Sequence, residues 1–173
     1  LVVDADLRRP CQHEVFGLAN DSGLTTLLSD PSARTRPPIR ETGVAGLTVL
    51  TSGPLAARPA DMVASKRMEE AIAWLAEQAD LVLFDSPPIN AVADAAVLAT
   101  RLDGVLLVVR ERRTQREAVR QAMASLARVN ARVLGAVLSG VSPDRAMARY
   151  YEGAPALSRR GSGSEAGAGA GGR

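Results

Sequence analysis

Runs of apolar residues recur along the chain and predict β-strands. They lie at residues 1–4, 47–53, 81–85, 104–111 and 132–140, and the third of them ends on Asp85. Few of these runs alternate polar and apolar residues. Continuous apolar runs are typical of strands that are buried on both faces of a sheet.

Segments with helical periodicity separate the predicted strands. They cover residues 23–30, 60–79, 93–102 and 114–129, with Thr114 as the candidate N-cap of the last. Residues 31–43 are rich in proline and charge, and this composition predicts a loop. Strands that alternate with helices indicate an α/β fold, with a parallel sheet covered by helices on both sides.

The composition limits the class of protein. The chain has 173 residues, 46% of them hydrophobic, and a formal net charge of +2. This length supports a domain with its own core. The sequence contains no basic stripe interleaved with aromatic residues, so it gives no indication of nucleic-acid binding. Cys11 is the only cysteine, so no disulfide forms within the chain, and no apolar run is long enough to span a bilayer.

The end of the sequence differs from the rest. From about Ala154 it reads APALSRRGSGSEAGAGAGGR, a low-complexity stretch that cannot bury a core. We therefore predict a domain over residues 1–145 and a flexible tail over residues 146–173, with Tyr150 and Tyr151 near the start of the tail.

Aspartates stand at the ends of two predicted strands. Asp4 and Asp6 follow the first, and Asp85 ends the third. The carboxyl ends of parallel strands meet at one edge, where open α/β sheets bind ligands, and a continued strand would point Asp4 and Asp6 to one face. Three converging carboxylates would suit Mg²⁺ with its waters and phosphates, or one of them could accept a proton from a hydroxyl. Alternatively, an aspartate in such a place only caps the next helix.

The stretch LVVDADLRRP resembles the second acidic motif of the bacterial tyrosine kinases, which are P-loop enzymes of capsule and exopolysaccharide production. The resemblance continues through HEVFGLAN, GLTTLLSD, LTVLTSGPLAARPADMVAS, DLVLFDSPPINAVADAAVLATRLDGVLLVVR and RVLGAVLSGV, and covers residues 1 to about 142 in unbroken order. DADLRRP with FDSPP and the DA that follows is a specific combination. It implies a three-layer P-loop NTPase-type α/β fold, with a mostly parallel sheet flanked by helices.

The resemblance also implies roles for single residues. Asp4, Asp6 and Arg8 fall on the acidic motif, and Asp85 falls on the strand-end acid that holds magnesium through water. Asp4 and Asp85 would serve the metal, and Asp4 or Asp6 would position and deprotonate the incoming tyrosine hydroxyl. Independently of the resemblance, the place of Arg110 at the end of a predicted strand would let its side chain reach the nucleotide edge. Asp94 matches the DA of the family, and we expect it to cap a helix.

The phosphate-binding loop of the family, G-x-x-x-x-G-K-[ST], has no counterpart in the sequence. Its backbone cradles the phosphates and its lysine reaches the β and γ oxygens, whereas the only lysine here, Lys66, lies in a helical pattern. Because Leu1 already stands in an apolar run, we expect an N-terminally truncated domain. We then expect unpaired strand edges beside the absent strand, and neither tight ATP binding nor kinase activity in the chain by itself.

The resemblance implies an ATP- and Mg²⁺-dependent protein-tyrosine autokinase that regulates capsular and exopolysaccharide synthesis and export. Tyr150 and Tyr151 would accept phosphate, or would only pack against the domain. The implied partners are a transmembrane polysaccharide chain-length regulator, fused or separate, further copies of the chain in a homo-oligomer, and tyrosine-containing protein substrates. The implied location is the cytoplasmic face of the membrane.

Two alternatives stay open. A septum-positioning or plasmid-partition P-loop ATPase shares the fold and an acid-ended strand, but the Pro-Pro after Asp85, the DLRRP stretch and the tyrosine pair favour the kinase. A catalytically inactive scaffold of the polysaccharide machinery would account for the absent lysine loop. A glycine-rich loop encoded upstream of Leu1 would favour the kinase, and an in-frame start codon there would favour the scaffold.

Overall fold

A computed structural model describes residues 1–35 and 37–141, and Leu1–Ser139 form one compact unit. The strands are β1 (Val2–Asp4), β2 (Ile39–Glu41), β3 (Thr48–Leu50), β4 (Leu83–Asp85), β5 (Val105–Arg110) and β6 (Val133–Ser139). The helices are α1 (Gln12–Phe16), α2 (Leu24–Ser29), α3 (Pro59–Ala64), α4 (Lys66–Ala76), α5 (Asp94–Ala99) and α6 (Arg116–Arg128), with a 3₁₀ turn over Pro31–Thr35. The alternation predicted from the sequence is confirmed.

The strands form two sheets. The first has four strands in the order β2-β3-β1-β4, in which β1 runs parallel to β3 and β4, and β2 runs antiparallel to β3. The second consists of the parallel pair β5-β6. Among the described residues, β4 pairs only with β1 and β5 pairs only with β6. Each of them therefore has one edge without a partner strand.

Two elements lie outside the strands and helices that the sequence predicted. Strand β2 falls inside the proline-rich segment at residues 31–43, and its three residues pair with all of β3. Helix α1 directly follows Cys11 and ends at Gly17, which has a positive φ of 63°. Both elements are short, and neither contains enough residues to show a hydrophobic period.

The predicted helix over residues 60–79 is broken at Ser65. This residue has an extended backbone, with φ −69° and ψ 157°, and its hydroxyl accepts a hydrogen bond from the Met68 N–H. Ser65 thus ends α3 and caps α4. Met62 lies before the break and Met68 lies after it. Because the apolar periodicity of the sequence continues across Ser65, it gives no sign of the break.

The N-cap expected at Thr114 is wrong. Helix α6 starts at Arg116, with Gln115 as its N-cap residue. The Thr114 hydroxyl instead accepts a hydrogen bond from the Arg110 N–H at 3.0 Å. It closes the turn that follows β5.

The core of the compact unit lies between the four-stranded sheet and the helices. Its largest fully buried side chains belong to β1, β3 and the helices around them, and include Val3, Leu24, Leu27, Leu50, Met68, Leu75 and Leu98. The expected burial of both strand faces is wrong for β5, because Leu106 is 52% exposed and Val108 is 65% exposed. No helix in the described part of the chain is long and apolar enough to cross a bilayer.

Candidate functional site

Asp4 and Asp85 are brought together at the carboxyl edge of the four-stranded sheet. Strands β1 and β4 are parallel neighbours, and their register places Asp4 opposite Asp85. The Ala5 N–H donates to the Asp85 carbonyl oxygen at 2.8 Å, so the pairing continues one residue beyond β1. The sheet fixes these two carboxylates beside each other through backbone hydrogen bonds.

Asp4 is fully buried, and only one of its carboxylate oxygens is satisfied. Oδ2 accepts hydrogen bonds from the Cys11 N–H at 3.0 Å and the Gln12 N–H at 2.9 Å. Among the described residues, Oδ1 has no hydrogen-bond partner. Burial raises the pKa of the Asp4 carboxyl, and the nearby negative charge of Asp85 raises it further.

Gln12 is a site residue that the sequence did not reveal. Its side-chain Nε2 donates to Asp85 Oδ2 at 2.6 Å, while its backbone N–H donates to Asp4. One residue at the start of α1 therefore contacts both carboxylates. No motif marked Gln12, because its contact with Asp85 depends on how α1 packs beside β4.

Asp6 does not join Asp4 and Asp85. Strand β1 ends at Asp4, so the alternation of side chains does not extend to Asp6. Instead, Asp6 Oδ1 accepts hydrogen bonds from the backbone N–H groups of Arg8 at 3.0 Å and Arg9 at 2.9 Å. Two carboxylates meet at this edge, and the described residues contain no group of three or more His, Cys, Asp or Glu side chains with metal-site geometry.

Arg8 forms a bidentate ion pair with Asp94. The Arg8 Nε lies 2.8 Å from Asp94 Oδ2, and Nη2 lies 3.1 Å from Oδ1. Asp94 is 3% exposed and is the first residue of α5, where Ala93 is the N-cap residue and no side chain caps the helix. The role expected for Asp94 as a cap is therefore wrong, and its carboxylate connects α5 to the loop after β1.

A third strand end lies at the same edge of the sheet. Residues 51–53 follow β3 and are held by the loop before α2, since Asn20 Oδ1 accepts from the Gly53 N–H at 2.8 Å. The Leu24 and Thr25 N–H groups also donate to the carbonyls of Thr51 and Ser52, both at 2.8 Å. This network fixes the backbone beside the acidic pair.

Among the described residues, Arg110 and Lys66 make no hydrogen bond or ion pair with Asp4 or Asp85. Arg110 is exposed at the end of β5, in the second sheet, and Lys66 is exposed at the start of α4. Cys11 is exposed, and partial burial with the surrounding acids raises the pKa of its thiol, which disfavours a nucleophilic thiolate. Tyr150 and Tyr151 lie outside the described residues.

Comparison with known proteins identifies related kinases. The chain is 35% identical over 151 residues to the putative tyrosine-protein kinase CapB of Staphylococcus aureus, covering 87% of this chain and 66% of CapB. It is 39% identical over 140 residues to the tyrosine-protein kinase YwqD of Bacillus subtilis, covering 81% of this chain and 59% of YwqD. The chain thus spans about two thirds or less of these relatives. No protein-family model matches it.

Solved structures share the fold. The kinase domain of the Escherichia coli tyrosine kinase ETK has a TM-score of 0.77 and 32% identity, over 83% of this chain and 56% of that one. The VpsO kinase domain has a TM-score of 0.76 and 29% identity, over 82% of this chain and 70% of that one. These likenesses confirm the P-loop NTPase-type α/β fold that the sequence predicted. The chain belongs to the family of bacterial tyrosine kinases.

Proposed function

We propose that this chain carries the acidic half of the active site of an ATP- and Mg²⁺-dependent protein-tyrosine autokinase. The observation that carries the proposal is the pairing of Asp4 with Asp85 at the ligand-binding edge of the sheet, in a chain related to tyrosine kinases. The kinase would regulate capsular and exopolysaccharide synthesis and export, as the resemblance implies.

The residues of this edge fit a magnesium ion. The Asp4 Oδ1 atom is buried, and among the described residues it has no hydrogen-bond partner, an arrangement that is costly for a carboxylate oxygen unless a cation or water reaches it. Mg²⁺ is usually held by one or two carboxylates, with waters and substrate phosphates as its other ligands. Asp4 and Asp85 supply that number of carboxylates.

The residues of the site divide into metal ligands, a group for the tyrosine hydroxyl and a nucleotide contact. Asp4 and Asp85 would hold Mg²⁺ directly or through water, and the ion would neutralise charge on the ATP phosphates during transfer. Asp6 uses Oδ1 to accept the hydrogen bonds of its own turn. Asp6 Oδ2 would then accept the hydrogen bond of the incoming tyrosine hydroxyl, and Arg110 would contact the nucleotide from the end of β5.

The phosphate-cradling loop of the family is not among the residues of this chain. Lys66 cannot replace its lysine, because helix α3 and Ser65 lead into α4, and no glycine-rich loop precedes Lys66. The acids of this chain therefore perform only part of the chemistry. A glycine-rich loop elsewhere in the kinase would bind the β and γ phosphates.

The remaining parts of the proposal concern the whole kinase. Tyr150 and Tyr151, which lie outside the described residues, would be the acceptors of autophosphorylation. The kinase would act as a homo-oligomer on tyrosine-containing proteins at the cytoplasmic face of the membrane. It would be activated by a transmembrane chain-length regulator. One solved structure that is similar to this chain, with a TM-score of 0.74, is that of the chimerical protein CapA2B2.

Mass spectrometry of the complete gene product after incubation with ATP and Mg²⁺ tests the proposal. We expect phosphate on Tyr150 and Tyr151, and a loss of rate of about 10²-fold or more in Asp4→Asn and Asp85→Asn. Asp21→Asn is the matched control, because Asp21 is exposed and its carboxylate pairs with Arg40 and with no residue of the site. Absence of phosphotyrosine in the wild type, or equal rates in all variants, would contradict the proposed function.

A further inference from the structure

We propose that Asp94 is a positioning residue that acts through Arg8 on Asp6, the carboxylate assigned to the tyrosine hydroxyl. This inference rests on the proposed function for its catalytic consequence. Its structural part, the coupling of Asp94 to the Asp6 turn, stands on the geometry of the loops that follow β1 and β4.

The turn after β1 is held at two successive points. Asp6 Oδ1 accepts the N–H groups of Arg8 and Arg9, so the carboxylate and the backbone of these residues move as one unit. The Arg8 side chain in turn connects this turn to Asp94, because its guanidinium donates two hydrogen bonds to the Asp94 carboxylate, of 2.8 and 3.1 Å. A shift of Arg8 would therefore shift the Asp6 carboxylate.

The ion pair also connects the loop that follows β1 to the first residue of α5. The loop after β1 contains Asp6, and the segment after Asp85, the last residue of β4, leads to Asp94. Inside the sheet, the register of β1 and β4 fixes Asp4 against Asp85. Asp6 lies beyond the end of β1, where the sheet no longer constrains it. The Arg8–Asp94 pair supplies that missing constraint.

The two partners of this ion pair differ in burial, and the buried partner determines the position of the other. Asp94 is 3% exposed, whereas the Arg8 side chain is 38% exposed. A buried carboxylate needs a partner, because an unpaired charge inside a protein is strongly unfavourable. The Asp94 carboxylate thus holds the arginine in one place, and a planar guanidinium gripped by two bonds has little freedom to turn.

Asp94→Asn is the variant of choice for the test. It keeps the shape of the side chain and removes the buried charge, and it leaves an arginine that water can reach. Removal of Arg8 is less suitable, because it would leave the Asp94 charge buried and unpaired. Arg8→Lys is the second variant, since it keeps the positive charge and removes the planar guanidinium that donates two hydrogen bonds to Asp94. Asp21→Asn is the control, because Asp21 pairs with Arg40 at 2.7 Å on the surface.

Amide hydrogen exchange measures the coupling without any reference to activity. In Asp94→Asn and Arg8→Lys we expect the amides of residues 8 and 9 to exchange about tenfold faster or more, because their hydrogen bonds to Asp6 open more often. The amides of Val2 and Val3 in β1 should keep their rates. Unchanged exchange at residues 8 and 9 overturns the inference, and a uniform increase along the chain shows a general loss of stability and overturns it too.

Kinetics of the complete kinase measures the consequence for the reaction. We expect kcat to fall by about tenfold or more in Asp94→Asn while KM for ATP changes less than about twofold, because a displaced carboxylate affects the transfer step more than nucleotide binding. A change in KM alone contradicts a role through Asp6. An inactive wild type with faster exchange at residues 8 and 9 in the variants would refute the proposed function and support the coupling.

Discussion

Asp4 and Asp85 face each other on neighbouring parallel strands, and the same register that pairs the backbones brings two negative charges together. Asp4 is fully buried there, and two backbone N–H groups from the start of α1 satisfy one of its oxygens. The proposed metal binding would require an ionised Asp4, whereas burial of that charge lowers the stability of the fold. The pair is suited to a cation, and without one its charge is unfavourable.

Asp4→Asn should stabilise the chain near neutral pH. The pKa of Asp4 is raised above its usual value of 3.8, chiefly by burial, so keeping it ionised in the folded state is costly. A raised pKa means that wild-type stability declines as the pH rises through that pKa. We expect a gain on the order of 1 kcal/mol in the variant at pH 7.5, measured by urea unfolding.

The gain from Asp4→Asn should depend on pH. Well below 3.8 the Asp4 carboxyl is protonated in both the folded and the unfolded chain, so its pKa shift contributes no cost there. Unfolding series at pH 7.5 and pH 3.5 should show a smaller advantage of the variant at the lower pH. An advantage of constant size across this range would contradict the burial argument.

Gln12→Leu should weaken the binding of a divalent ion. The Gln12 Nε2 hydrogen bond to Asp85 Oδ2 orients this carboxylate, and leucine has a similar volume without the donor. Loss of a hydrogen bond to a metal-binding group typically lowers metal affinity about tenfold or more. Titration with Mn²⁺, followed by the electron paramagnetic resonance of the free ion, measures this affinity directly.

Gln78→Leu provides the control for that experiment. Gln78 also donates through Nε2, to the Trp74 carbonyl at 3.2 Å, but it is exposed at the end of α4. We expect this variant to bind Mn²⁺ as the wild type does. Equal affinities in wild type and Gln12→Leu would show that β1 and β4 alone orient Asp85.

The acidic pair was predictable from the sequence, whereas its surroundings were not. Asp4 and Asp85 each end an apolar run, and parallel strands place such ends at one edge. The position of the Asp6 side chain depended on where β1 ends, because side chains alternate between faces only within a strand. Gln12 depended on the packing of the five-residue helix α1, which leaves no periodic pattern.

The break between α3 and α4 was hidden for a related reason. The hydrophobic period shows which face of a segment is buried, and it does not report backbone angles at a single residue. Ser65 can continue a helix or cap one, and the choice depends on partners far along the chain. Arg101 is one of them, since its Nη1 donates to the carbonyls of Val63 at 2.6 Å and Ser65 at 3.2 Å.

Gly23→Ala should be strongly destabilising. Gly23 is buried against the backbone after β3, and an added Cβ would overlap the Thr51 carbonyl oxygen and the Gly53 nitrogen. Neither contact is with a flexible side chain, so the loop before α2 would have to move away. We expect a loss of about 3 kcal/mol, or failure to fold, in urea unfolding experiments.

Gly43→Ala is the matched control for Gly23→Ala. Gly43 is exposed, its added Cβ meets nothing within 4 Å, and its φ does not lie in the left-handed region. We expect a change of less than about 0.5 kcal/mol. Similar losses at the two glycines would show that the contact between residues 23 and 51–53 is not what requires glycine.

Arg101→Ala should destabilise the junction of α3 and α4. The 17% exposed Arg101 side chain also donates to the Ala64 carbonyl at 2.7 Å, and it pairs with Glu69 at 3.1 Å. Carbonyls at the end of a helix have no partners inside the helix and carry the negative end of its dipole. Because a charged donor serves several of them, we expect a loss of about 2 kcal/mol in urea unfolding.

Arg58→Ala separates this effect from a general effect of losing positive charge. Arg58 lies directly before α3 and pairs with Asp61 at 3.4 Å, but its side chain is 84% exposed. Such surface pairs contribute little, so we expect a loss of less than about 0.5 kcal/mol. The same unfolding experiment at high salt sharpens the comparison, because salt screens exposed charges more than partly buried ones. If the loss in Arg101→Ala disappears at high salt, charge at the surface, and not capping of α3, would account for it.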